Sequence, residues 1–155
     1  MKFLNHLFTS KSKKYLDVIS LLSPKQINSK GGLPSIAICG KFENGINEPE
    51  YFIENNEFVD FLHTTIAIKA IDLKSLNDAA AQQKKGYLYI IDFRTPEGIM
   101  GNVPPEDIIG AFKVEDGSIV SNSYWRNDKH KIYTKNGLMK LPPGMDILIT
   151  GELMK

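Results

Sequence analysis

Gly86-Tyr87-Leu88-Tyr89-Ile90-Ile91-Asp92-Phe93 is the stretch whose reading decides the fold class. Branched and aromatic residues favour a strand there, and the near-continuous apolar run reads as a central strand buried on both faces. Downstream, Val103-Pro104-Pro105-Glu106-Asp107 reads as a turn. Ile108 to Val114 and Ser118 to Trp125 follow as two strands, joined at Glu115-Asp116-Gly117, where Asp-Gly suits a tight hairpin. The tail adds a turn at Leu141-Pro142-Pro143-Gly144 and a last short strand, Ile147-Leu148-Ile149.

Upstream, Tyr15 to Leu22 is apolar enough for a strand. Ser23-Pro24 then has the form of a helix start, serine as N-cap and proline at the first helical position, and Gly31-Gly32 ends that helix. Gly40 to Glu50 reads as an exposed loop. Glu57 to Ala70 is rich in branched and aromatic residues and is expected to be β structure. Asp72 is placed to cap a helix over Leu73 to Lys85, whose Leu73, Leu76 and Ala80 share one face. Strands late, helices early and no βαβ alternation give an α+β class.

The 155 residues, 42% of them hydrophobic, suit a single domain with a real core. Lys and Arg number 19 against 18 Asp and Glu, a net +1, so no global field draws the chain to nucleic acid or an acidic membrane. Two basic patches, Lys11/Lys13/Lys14 and Arg126/Lys129/His130/Lys131, read as solvated faces. Cys39 is the only cysteine, which excludes an intrachain disulfide and a thiolate metal cluster. It follows Ile36-Ala37-Ile38 and reads as a small buried hydrophobe. No metal site is expected from the His, Cys and Asp spacing. No stretch approaches the ~18 apolar residues of a membrane span, and Lys11 to Lys14 interrupt any signal-peptide core. The expectation is a cytoplasmic protein, or one delivered by a specialised secretion route.

Four segments, in order, resemble the ADP-ribosyltransferases of cholera- and pertussis-type toxin A subunits. Leu22-Ser23-Pro24-Lys25-Gln26-Ile27 leading to Gly31-Gly32-Leu33 is similar to the family's opening strand, Ser-Arg-Pro-Pro turn and Gly-Gly-Leu stop. Phe61-Leu62-His63-Thr64-Thr65-Ile66 sits where its aromatic–x–Ser-Thr-Ser strand lies. Tyr87-Leu88-Tyr89-Ile90-Ile91-Asp92 resembles its Tyr-Ile-Tyr-Val-Ile strand, and Val103 to Phe112 its Ile-Pro-x-Glu-x-Ile-x-Gly turn. The resemblance covers most of residues 15 to 125, with a basic segment before it (1–14) and a tail after it (126–155).

What the resemblance implies is a fold of two small mixed β-sheets around an NAD cleft, between the 61–66 and 87–92 strands, in a bacterial toxin or effector. Cleavage of the nicotinamide–ribose bond needs a carboxylate beside the developing oxocarbenium, and a forked cation suits the NAD phosphates. On that mapping Glu97 is the catalytic candidate, with His63, Thr64 and Thr65 at the Ser-Thr-Ser positions and Thr95 two before the glutamate. Arg94 or Lys14 would hold phosphate. The family's arginine position falls on or near Val18, and no arginine precedes Arg94. Each candidate has a plainer reading: Glu97 as a turn residue, His63 satisfied by a neighbour, Arg94 balancing Asp92 or Glu97. Two functions follow. One is ADP-ribose transfer to a protein acceptor, or NAD hydrolysis. The other is a catalytically inactive relative that binds a protein partner in an immunity or regulatory role, through the old cleft or the 108–125 hairpin edge.

Overall fold

The computed structural model describes residues 3–4, 17–95 and 101–155. The architecture is α+β, as expected, with four α-helices and small sheets among the described residues. In chain order the strands are β1 (Phe3–Leu4), β2 (Asp17–Ser20), β3 (Ile38–Phe42), β4 (Phe52–Glu54) and β5 (Gly86–Ile91). They continue with β6 (Ile108–Glu115), β7 (Ser118–Ile119), β8 (Trp125–Arg126), β9 (Tyr133–Thr134) and β10 (Gly137–Leu138). The helices are α1 (Pro24–Lys30), α2 (Asn56–Lys69), α3 (Lys74–Gln83) and α4 (Met145–Leu153). The expected mixed sheets are corrected: every pairing among the described residues is antiparallel.

The chain divides into two compact units. One comprises the chain up to Leu62 with Ile132–Leu138 and Thr150–Lys155; the other comprises His63–Lys131 and Met139–Ile149. In the first, β1-β2-β3-β4 form one sheet and β9-β10 a ribbon. Helix α1 starts where the sequence places it. The Ser23 hydroxyl accepts from the Gln26 N–H at 3.1 Å, the Gln26 side chain accepts from the Ser23 N–H at 2.8 Å, and Gly31 closes the helix at φ +79°. Ile19, Leu22, Cys39, Phe42 and Phe58 are buried, and the rings of Phe52 and Tyr133 meet Phe42 edge-on at 5.2 and 5.0 Å. Gly40, expected in a loop, belongs to β3. A side chain there would strike the Phe52 ring and the Ile53 carbonyl.

Residues 57–70 correct the sequence reading: they are helical, not β. Phe58, Leu62, Ile66 and Ala70 recur every fourth residue and are all fully buried, so the stripe has helical period. Asn55 fixes the start, its side-chain oxygen accepting from the Glu57 N–H at 3.2 Å. Val59, Thr64 and Ile66 lowered the helix propensity, and burial of the stripe outweighs it. The same correction applies to Ile147–Ile149, which lie in α4. There Met145, Ile149 and Leu153 are buried four apart while Ile147 is exposed.

In the second unit β6 pairs with β5 on one side and with β7 and β8 on the other. The turn at Asp116-Gly117 forms as expected, with positive φ at both residues (+50° and +74°). The strand expected over Ser118 to Trp125 is corrected: β7 stops at Ile119 and Trp125 begins β8. Asp72 ends a short 3-10 turn and does not cap α3, which starts beyond Leu73. Helix α3 packs against β5 and β7. The largest correction concerns the stretch that decided the fold class. β5 is an edge strand, not a central one, since β6 is its only partner among the described residues. Tyr87 and Tyr89 are 54% and 52% exposed. Of this continuously apolar strand only Ile90 is fully buried, and the face of Tyr87 and Tyr89 is open.

Candidate functional site

The sequence-derived candidates are placed as follows. His63, Thr64 and Thr65 are consecutive on α2, so about 100° of helical rotation separates each from the next. Thr64 is exposed, whereas His63 and Thr65 are buried. With 61–66 helical, the expected cleft between two strands is corrected: 61–66 is not a strand. His63 Nδ1 lies 2.7 Å from the Tyr124 hydroxyl. Burial pushes the Tyr124 phenol well up, so it keeps its proton in this hydrogen bond. Gly110 makes room for this ring: a side chain there would strike the Tyr124 hydroxyl and lie 2.6 Å from the Trp125 carbonyl.

Arg94 and Thr95 leave the end of β5 and enter a buried polar network. Arg94 Nε is 2.9 Å from Asp107 Oδ1 and 3.5 Å from Asp92 Oδ2, and its side chain is 3% exposed. Its Nη2 donates to the Glu106 carbonyl at 3.0 Å and to the Lys131 carbonyl. Asp92 Oδ1 accepts from the N–H groups of Arg94 and Lys140, at 3.1 and 2.8 Å, and Oδ2 from His130 Nε2 at 2.9 Å. The plainer reading of Arg94, balancing Asp92, matches this geometry, with Asp107 as its nearer partner. A phosphate would have to displace these internal acceptors. Thr95 Oγ1 and Asp107 Oδ2 are buried and have no hydrogen-bond partner. Glu97 and Lys14 lie outside the described residues.

A different place gathers accessible apolar surface. A cavity of about 410 Å³ is lined by Leu73, Leu76 and Ala79 of α3 and its approach, by Pro142 and Met145, and by four consecutive residues, Leu88 to Ile91. Successive strand residues point to opposite faces, so a cavity touching four in a row runs along the strand's edge. On the other face a second recess of about 380 Å³ is lined by Tyr87, Tyr89, Ala111, Ser123 and Trp125. Trp125 is 49% exposed.

The edge is open at Tyr89, between the Gln83 amide on the Tyr87 carbonyl and the Lys140 carbonyl on the Phe93 N–H. The Tyr87 carbonyl accepts from Gln83 Nε2 at 2.8 Å, which places the backbone groups of Tyr87 on the side away from β6. Alternation along an antiparallel ladder puts those of Tyr89 on the same side. Nine large apolar residues are exposed among the described residues, and Tyr87, Tyr89, Phe93 and Trp125 of this region are four of them. Tyr87, Tyr89 and Trp125 share the aromatic recess, and Phe93 lines the α3 cavity. The sequence reading missed it because it treated the run as central; the signal was Tyr87 and Tyr89 at period 2 beside two lysines.

Among the described residues no group of three or more His, Cys, Asp or Glu could hold a metal ion. None of their helices is long and apolar enough to cross a membrane. No family model matches the chain, and no curated protein or solved structure shows significant similarity to it.

Proposed function

We propose that this protein is a binding module that receives an extended segment of a partner protein as an added strand on β5. The observation that carries the reading is the open edge of β5 between an apolar cavity and an aromatic recess. Strand addition draws affinity from main-chain hydrogen bonds and specificity from pockets that take alternate side chains. One set of side chains of the incoming strand would enter the α3 cavity. The other would lie against Tyr87, Tyr89 and Trp125. An exposed apolar edge is otherwise an aggregation hazard, which selection tolerates where the edge is used.

In this reading the resemblance to ADP-ribosyltransferases is one of short sequence motifs without chemistry. The family's first arginine has no counterpart, and the Arg94 guanidinium is engaged inside the protein. The test is selection of peptides from a random library on the wild type, followed by rebinding to Ala79→Phe. Ala79 is half-buried on the cavity wall, so the larger ring fills the cavity without removing an apolar group. Peptides with apolar residues at every second position that bind the wild type and lose at least about tenfold on the variant support the reading. Selected peptides indifferent to the variant would overturn it.

A further inference from the structure

The occupant of the β5 edge can be narrowed by charge, an inference that rests on the strand-addition reading above. Lysines bracket the strand. Lys84 and Lys85 precede it, and Lys140 stands at its far end, where the Lys140 carbonyl accepts from the Phe93 N–H at 2.8 Å. All three are exposed, and none forms an ion pair among the described residues. Asp92, which accepts from the Lys140 N–H at 2.8 Å, is also held by His130 and by the Arg94 N–H. Asp78 and Glu115 pair with Lys74 and Lys113 at 2.7 and 3.0 Å. Asp116, in the hairpin turn, lines a recess together with Lys84 and Lys85 without pairing with either. Between the two cationic ends the groove is apolar, so charge selects at its ends and shape selects in its middle.

We propose that the occupant is an apolar β-segment of an acidic partner protein, bounded at both ends by aspartate or glutamate. Because lysine stands at both ends of β5, the match holds whichever way the incoming strand runs. The same pattern works against a second copy of this chain. Antiparallel self-pairing of β5 would bring Lys84 and Lys85 of one copy beside Lys140 of the other, like charge against like. Lysines beside an edge are a known guard against unwanted pairing, and an acid-flanked strand is the one kind for which they become attractive.

Peptides with one common core of alternating valine, phenylalanine and threonine, flanked by Asp-Glu, Gln-Gln or Lys-Lys, test this by fluorescence anisotropy titration. The expected order of affinity is acidic, then neutral, then basic, with about tenfold between the extremes at low salt and a narrower range at high salt. The order reverses in Lys84→Glu/Lys85→Glu/Lys140→Glu, whose substitutions are all at exposed positions. Equal affinity of the three peptides, lost in Ala79→Phe, would keep the groove and overturn the acidic partner. Binding unaffected by Ala79→Phe would overturn the strand-addition reading, and this inference with it. A concentration-dependent dimer in sedimentation, abolished by Ala79→Phe, would overturn the inference in favour of self-pairing.

Discussion

Tyr89 and Trp125 stand in one row across the second sheet, each the direct cross-strand neighbour of Ala111 on opposite sides. Cross-strand neighbours share a face, so the alanine is the floor of a trough walled by two rings. Trp125 is half exposed. Trp125→Ala is expected to lower stability by about 1–2 kcal/mol, for the half of the side chain that is buried. It should also weaken a bound strand peptide by at least about tenfold, as loss of an aromatic anchor does. Urea unfolding and peptide titration on the same variant check both halves.

Arg94→Met leaves Asp107 and Asp92 buried without their cation. Breaking a buried pair in this way costs about 3–5 kcal/mol, far more than the methionine recovers by packing. Urea unfolding of the variant measures it. Were Arg94 a phosphate ligand in place of an internal strut, the variant would keep its stability and lose NAD affinity.

Burial pushes the Cys39 thiol well up, so the folded protein holds it neutral. The unfolded thiol ionises from about pH 8.5. Its contribution to stability is therefore complete below that pH and is lost as pH rises towards the folded value. The Tyr124 phenol, raised by the same cause, adds to the fall from about pH 10. Unfolding free energy should decline above about pH 8.5, and less steeply in Cys39→Ala. Iodoacetamide should label Cys39 only as fast as the protein unfolds.

Much of the fold was legible where local chemistry decides it. Ser23-Pro24, Gly31 and Asp116-Gly117 fix backbone conformations by caps and positive φ, and each did so at the predicted place. The misreadings came where tertiary burial overrides propensity. α2 carries Val59, Thr64, Thr65 and Ile66, residues that favour strands, yet the four-residue spacing of its buried stripe wins. The site was less legible still. Neither the burial of the Arg94 guanidinium nor the edge position of β5 follows from residue type. Both depend on what the distant segments at Asp107, His130 and Lys140 bring to the end of that strand.

The binding reading also predicts that NAD at millimolar concentration is neither held nor cleaved, with no nicotinamide released over hours. Calorimetry and a nicotinamide assay check this. Release that disappears in Glu97→Gln would instead establish the protein as a working transferase or glycohydrolase.

The most direct test of strand addition is residue-resolved amide hydrogen exchange with and without a bound acid-flanked peptide. The N–H of Tyr89 faces the open edge, so it should exchange readily in the free protein and become protected, by about tenfold or more, in the complex. Its neighbours Leu88 and Ile90, already turned towards β6, should change little. A tightly bound peptide that leaves the Tyr89 amide unprotected would contradict the account.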